Sequence, residues 1–364
     1  MMETFLYDEK NKNKILSSIS NNSIPFYQFY NVDFKPEYYG YHTYKSNNFE
    51  EYPFNLKILN KTYYDIETFV DPPKMPDSLV GDRPINAIAT YNTVENRAII
   101  YYLKKVEATL TEDPEAGNIH IPKDDQVNVQ ERVIEKYHEL CKLEKKFLIE
   151  DIDIVVKDFD DELELLVEFF NDRKLEQSLF LIGFNSSLFD DPYTLNRLIG
   201  MVGMNKAAEI VSAFGELTVN KKKYFSWPDI QLVDILSMYK PVDAGGGGFG
   251  QSLPNYKLAT IAEEELGISK LDLPGGFNEN YLNNLINYLT YNLVDTLLVY
   301  LLDKKLKFLE LQWSINNYNK SIMSQTNAGR SLIYTTRNTL NYTMNNKLLR
   351  FKKLNREIFF PGKL

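Results

Sequence analysis

Apolar and polar positions change rhythm along this chain, and each rhythm predicts an element. From 62 to 67 the run Thr-Tyr-Tyr-Asp-Ile-Glu is rich in strand formers and ends in the period-two alternation of a half-buried strand. INAIATYN at 85–92 and NRAIIYYL at 96–103 read as a hairpin that turns near Glu95. A strand-helix-strand passage follows in IDIVV (152–156), DDELELLVEFFNDR (160–173) and SLFLIGF (178–184). Farther on, Leu289, Leu293, Leu297 and Leu301 recur four apart, the spacing of one helix face. Residues 104–150 are dense in charge and predict a surface insertion with one amphipathic helix. Residues 1–60, rich in Asn, Tyr and Phe without clear periodicity, predict a small, irregular β-type domain. AGGGGFGQ at 244–251 matches G-x-G-x-x-G through Gly245, Gly247 and Gly250. No strand leads into it and no helix opens from it, so it reads as a loop rather than a dinucleotide site.

Composition narrows the class. A chain of 364 residues, 44% of them hydrophobic, can build a large core and two domains. It carries no basic n-region followed by an apolar h-region and no uninterrupted apolar run of about 18 residues. The expectation is a soluble chain without a membrane partner. Its one cysteine, Cys141, excludes an internal disulfide framework and a cysteine-rich zinc site, which fits a reducing cytoplasm. A formal net charge of −9 argues against an autonomous, non-specific duplex binder, because phosphate contacts need clustered Lys and Arg. It leaves room for a protein that grips a few nucleotides in an acidic, metal-loaded cleft.

The acids in the first strand supply the chemistry. Asp65 and Glu67 are two apart and so face one side of a strand. Two carboxylates held together are unfavourable unless a cation lies between them. In GFNSSLFDDPY (183–193) Asp190 follows an apolar strand, at the mouth where α/β folds place ligands. In the helix at 288–303, Tyr291 and Asp295 are four apart and share a face. Together these would make a four-carboxylate cluster whose hard oxygen ligands suit Mg²⁺ or Mn²⁺.

YYDIET, GFNSSLFDDPY and YNLVD, in this order, resemble the three exonuclease motifs of family B DNA polymerases, and most of all the T-even phage type. The likeness covers roughly residues 50 to 350. It implies an α/β, ribonuclease-H-like exonuclease domain at 61–309, a mixed sheet flanked by helices, with a small discontinuous domain formed by 1–60 and completed by 310–364. By the same likeness Asp65, Glu67, Asp190 and Asp295 match the acids that bind two Mg²⁺ ions, for which Mn²⁺ can substitute. Tyr291 matches the tyrosine that orients the attacking water. Thr68, Asn185 and Phe189 match residues that hold the single-stranded 3′ end of DNA. Lys257 falls near a lysine that helps catalysis in protein-primed relatives, and Asp234 matches a family position of unassigned role. Sister exonucleases place a histidine five residues before the last acid; here Thr290 stands there, which puts this chain in the tyrosine branch.

Ordinary structural uses compete with these roles. Asn185 could cap a turn, Tyr291 and Phe189 could fill the core, Thr68 could simply favour a strand, and Lys257 could be a surface lysine. The palm signatures D-x-x-S-L-Y-P, K-x-x-x-N-S-x-Y-G and D-T-D do not occur. The leading expectation is therefore a proofreading 3′–5′ exonuclease subunit of a split viral polymerase, acting on primer-template DNA in the host cytoplasm beside a palm-and-thumb subunit. The basic, apolar segment LLRFKKLNREIFFPGKL (348–364) is the expected docking surface. The alternatives are a portion of a single-chain polymerase, a silent scaffold between polymerase and replication factors, and a free-standing repair or RNA-processing nuclease.

Overall fold

The computed structural model describes residues 60–70, 75–106, 119–120, 126–143, 149, 151–219, 225–227, 229–241, 250–268 and 276–311. By its contacts the chain divides into two units, Met1–Phe54 with Glu310–Leu364, and Asn55–Leu309. Apart from Glu310 and Leu311, the described residues belong to the second unit. The expectations for 1–60, Asn60 apart, for the segment beyond 311, and for Gly245 and Gly247 lie outside the described residues.

Strand β1 (Lys61–Thr68) leads into β2 (Ile85–Asn92) and β3 (Arg97–Leu103), an antiparallel meander. The turn between β2 and β3 closes on Asn96 in the left-handed region, φ 51°, where Asn is among the best-tolerated residues. The short strands β4 (Lys105–Val106) and β5 (Ile119–His120) pair with each other in a separate two-stranded sheet. Helix α1 (Val129–Leu143) is the amphipathic helix expected in the charged insertion. It buries Val133 and Tyr137 and leaves most of its charged residues outside.

β6 (Asp153–Phe159) pairs parallel with β3, and α2 (Glu162–Leu175) then carries the chain across the sheet to β7 (Phe180–Gly183). Asp161 starts α2 by accepting from Glu164 N at 3.0 Å, and acids in the first turn and bases in the last match the helix dipole. Next come α3 (Asp190–Val202), α4 (Met204–Val211), the two-residue pair β8 (Thr218–Val219) and β9 (Phe225–Ser226), and β10 (Gln231–Asp234). The six-stranded sheet runs β10-β7-β1-β2-β3-β6, with β7 and β10 parallel to β1. Three short helices follow, α5 (Ile235–Tyr239), α6 (Leu258–Leu266) and α7 (Phe277–Asn283). After them α8 (Leu285–Leu306) is the long helix predicted from its leucines.

The result is an α/β unit, a mixed sheet flanked by helices. Alternation along β1 sorts its two faces. Tyr63 turns towards α8, its hydroxyl donating to Asp303 at 2.6 Å and its ring meeting Tyr300 edge-on at 5.3 Å. Tyr64 turns to the other side, donating to Asp191 and packing near Phe169 of α2. On that side Leu165, Phe169 and Phe170 meet Leu195 and Leu198 in the main core, all nearly inaccessible to water. By length and composition alone α8 could cross a bilayer, but most of it is buried inside the fold.

Candidate metal centre

The site begins where β1 loses one of its neighbours. β1 pairs with β7 only from Lys61 to Tyr63, whereas its ladder with β2 runs on to Thr68. Beyond Tyr63 the backbone on the β7 side needs other partners, because a buried N–H left unpaired is costly. The Asp190 carboxylate supplies one: its Oδ1 accepts from Ile66 N at 3.3 Å. Asp190 thereby hangs on the strand that carries Asp65 and Glu67.

The loop from β7 to α3 is folded tightly enough to make that reach possible. A Cβ on Gly183 would lie 2.5 Å from Cβ of Ser186, so only glycine fits this close approach. Asn185 takes the left-handed region, φ 61°, and its carbonyl accepts from the N–H groups of Leu188 and Phe189. Asp234, at the end of β10, ties the loop down. Its carboxylate accepts from Asn185 N at 2.9 Å and Ser187 Oγ at 2.6 Å. It also caps α5 through the N–H groups of Leu236 and Ser237. α3 then opens with Asp190 and Asp191 in its first turn, where unsatisfied N–H groups favour negative charge.

From the opposite side α8 brings Asp295 to the β1 acids. Ligand oxygens of Asp65, Glu67 and Asp295 lie within 4.8 Å of one another; Asp295 is buried and the other two are half-buried. Asn292, one helical turn before Asp295, donates from Nδ2 to Asp65 Oδ2 at 2.8 Å. The crowding is electrostatically expensive. Burial pushes Asp190 well above the usual carboxylate range, and the negative charges of Asp65 and Asp191 push it further, against the Ile66 hydrogen bond. Tyr288, on the preceding turns of α8, is also raised, by burial first and then by the charge of Glu67; its hydroxyl donates to Asn86 Oδ1 at 3.0 Å. Asp191 is a separate matter: it accepts from Tyr64, and burial lifts it to about 7. An all-oxygen set of clustered acids fits a hard divalent cation and has no soft donor to offer a thiophilic metal.

The remaining candidates spread out from this point. Tyr291 is buried on α8, one turn before Asp295. Thr68 is buried at the end of β1, past a register irregularity after Glu67. Phe189 is half-buried beside α3, its ring tilted against Tyr193 at 5.2 Å. The Asn185 side chain is half-buried and finds no hydrogen-bond partner among the described residues, while its backbone organises the loop. Lys257 is exposed at the start of α6, and its ammonium makes no ion pair among the described residues. Two positions had no assigned role in the sequence. Asn292 sits inside the quoted YNLVD, and its place one turn before the acid was the available signal. Asp234 had only its family position, since nothing local shows that it reaches Asn185.

No family model matches the chain. It is 24% identical over 306 residues to a protein named DNA-directed DNA polymerase from Enterobacteria phage T4, covering 79% of this chain and 30% of that protein. The protein of the same name from Escherichia phage RB69 is 25% identical over 273 residues, 71% of this chain and 27% of its own length. The chain thus spans less than a third of the curated relatives it matches.

Proposed function

From its relationship to the T4-like family B DNA polymerases, which covers only part of their length, we propose that this chain is a metal-dependent 3′–5′ exonuclease acting on DNA. The observation that carries the reading is the convergence of Asp65, Glu67 and Asp295 within 4.8 Å, with Asp190 anchored to the same strand. A sheet of this order, flanked by helices, is compatible with a ribonuclease-H-like fold. Asp65, Glu67, Asp190 and Asp295 would hold two Mg²⁺ or Mn²⁺ ions. Such ions supply a water of lowered pKa and neutralise charge on the phosphate and the leaving oxygen.

The chain's own groups do the rest. The four carboxylates would hold the ions against which the anionic phosphate is positioned, and a fixed phosphate removes much of the entropic cost of attack. The Tyr291 hydroxyl orients the attacking water, and Asn185, Phe189 and Thr68 hold the terminal nucleotides. Half-exposed aromatic surface at Phe189 suits unpaired bases, which offer a free π-face. A mismatched end frays more readily, so excision becomes selective without reading sequence. Lys257, exposed, assists only by charge. A net charge of −9 leaves the duplex to another component, and a palm-and-thumb polymerase subunit in the host cytoplasm is the partner this reading calls for.

A 5′-labelled single strand tests the reading. It should shorten stepwise from its 3′ end in Mg²⁺ or Mn²⁺, releasing nucleoside monophosphates, and survive in EDTA. Ca²⁺ should permit binding with little cleavage, because its longer and looser coordination misplaces the water. Robust cleavage in EDTA would overturn the metal assignment.

A further inference from the structure

Asn292 does not belong to the acid set, yet from α8 it donates to one of its members. Its Nδ2 lies 2.8 Å from Asp65 Oδ2 and 3.4 Å from Asp65 O. The amide is fully buried, and its Oδ1 has no hydrogen-bond partner among the described residues. A carboxylate only accepts, so the nitrogen must be the end that faces Asp65. The backbone beneath is pinned as well: Asn292 O accepts from Thr296 Oγ1 at 3.0 Å, and the same hydroxyl lies 3.3 Å from Ala89 O of β2.

We propose that Asn292 is a positioning residue that sets the orientation of the Asp65 carboxylate for a divalent cation. The inference rests on the metal-centre reading above and names the group that prepares its ligand. An amide donor occupies one lone-pair direction of Oδ2 and thereby limits rotation of the carboxylate, leaving the other oxygen directed elsewhere. It does so without cancelling charge. A lysine or arginine at this place would pair with Asp65 and take up the charge that a cation needs, whereas a neutral amide aims the ligand and leaves it anionic. The cost is visible in the fold: a buried amide oxygen with no partner among the described residues is unfavourable, and packing alone would favour leucine at so buried a position. Outer groups that orient metal ligands carry this kind of cost elsewhere, and their removal weakens metal affinity or activity by about 10- to 100-fold.

Manganese titration of the unliganded protein, followed by electron paramagnetic resonance, reads the effect without any turnover. Asn292→Leu is near-isosteric and removes the donor; Asn292→Ala serves if leucine proves too bulky to fold. Either variant should keep the circular dichroism and apo melting temperature of the parent within a few degrees. Its Mn²⁺ dissociation constant should rise by about 10-fold or more. In the nuclease assay kcat should fall by a similar factor with KM for the oligonucleotide unchanged. A folded variant with unaltered Mn²⁺ affinity and kcat would overturn the role of Asn292. A parent protein that binds no Mn²⁺ at all would instead overturn the metal centre itself, and the inference with it.

Discussion

Asp65, Glu67 and Asp295 gather within 4.8 Å and Asp190 bonds to the same strand, each for a different reason. Asp65 and Glu67 share a strand face by alternation, Asp190 borrows a backbone N–H that β7 no longer uses, and Asp295 rides on a helix packed across the sheet. Replacing Asp65 and Glu67 together with alanine should therefore cut 3′–5′ cleavage by several orders of magnitude, since the cluster loses the pair that the other acids surround. Tyr291→Phe should cost less, about 10- to 100-fold, because it removes one orienting hydroxyl and no ligand. Single-turnover rates on a short single strand measure both. A wild-type rate in Asp295→Ala would remove α8 from the site. The family likeness named these residues as candidates; which of them meet is set by their neighbours in the fold.

Among the elements, the β7–α3 loop has the most demanding geometry. Gly183 admits the turn, Asn185 accepts a left-handed φ, and Asp234 gathers four donors from two segments. Burial alone would push Asp234 up, and the N–H and hydroxyl donors from Ser187, Ser237, Asn185 and Leu236 pull against it. Asp234→Ala should remove both a helix cap and the loop's anchor, at a cost of about 2–4 kcal/mol in urea unfolding. Asp234→Asn should cost less, because an amide oxygen can still accept from some of these donors. Gly183→Ala should also lower the urea midpoint, since Ser186 would have to move. Unchanged midpoints in both Asp234→Ala and Gly183→Ala would mean that the loop is held by contacts other than these. The turn was readable as a turn from GFNSS; its anchor lies 49 residues away in sequence and was not.

For the whole molecule, a cluster of acids is a cost that a cation removes. Saturating Mn²⁺ should raise stability by about 2.7 kcal/mol at a concentration 100 times its dissociation constant. The melting temperature of a protein lacking Asp65, Glu67 and Asp295 should not respond. A wild-type melting curve indifferent to Mn²⁺ would show that the acids are tolerated without an ion. The same acidity predicts weak binding to primer-template DNA by the chain alone, falling steeply with salt, and recovered when a polymerase palm-and-thumb polypeptide is added. Fluorescence anisotropy at two salt concentrations, with and without that polypeptide, decides whether the duplex contacts lie elsewhere.

Local pattern was sufficient to determine the strands at β1, β2, β3, β6 and β7, the helices α1, α2 and α8, and their order, because alternation and helical spacing are written in adjacent residues. It also placed Asp65 and Glu67 on one face, since that follows from the pleat alone. Only the tertiary structure decided the rest. That β7 stops pairing at Tyr63, freeing Ile66 for Asp190, depends on strand register. That Thr68 is buried and Lys257 exposed depends on what packs over each. That Asn292 reaches Asp65 depends on the docking of α8 against a strand 227 residues earlier in the chain. Contacts of that separation are set by the packing of faces already formed, and no window of neighbouring residues contains them.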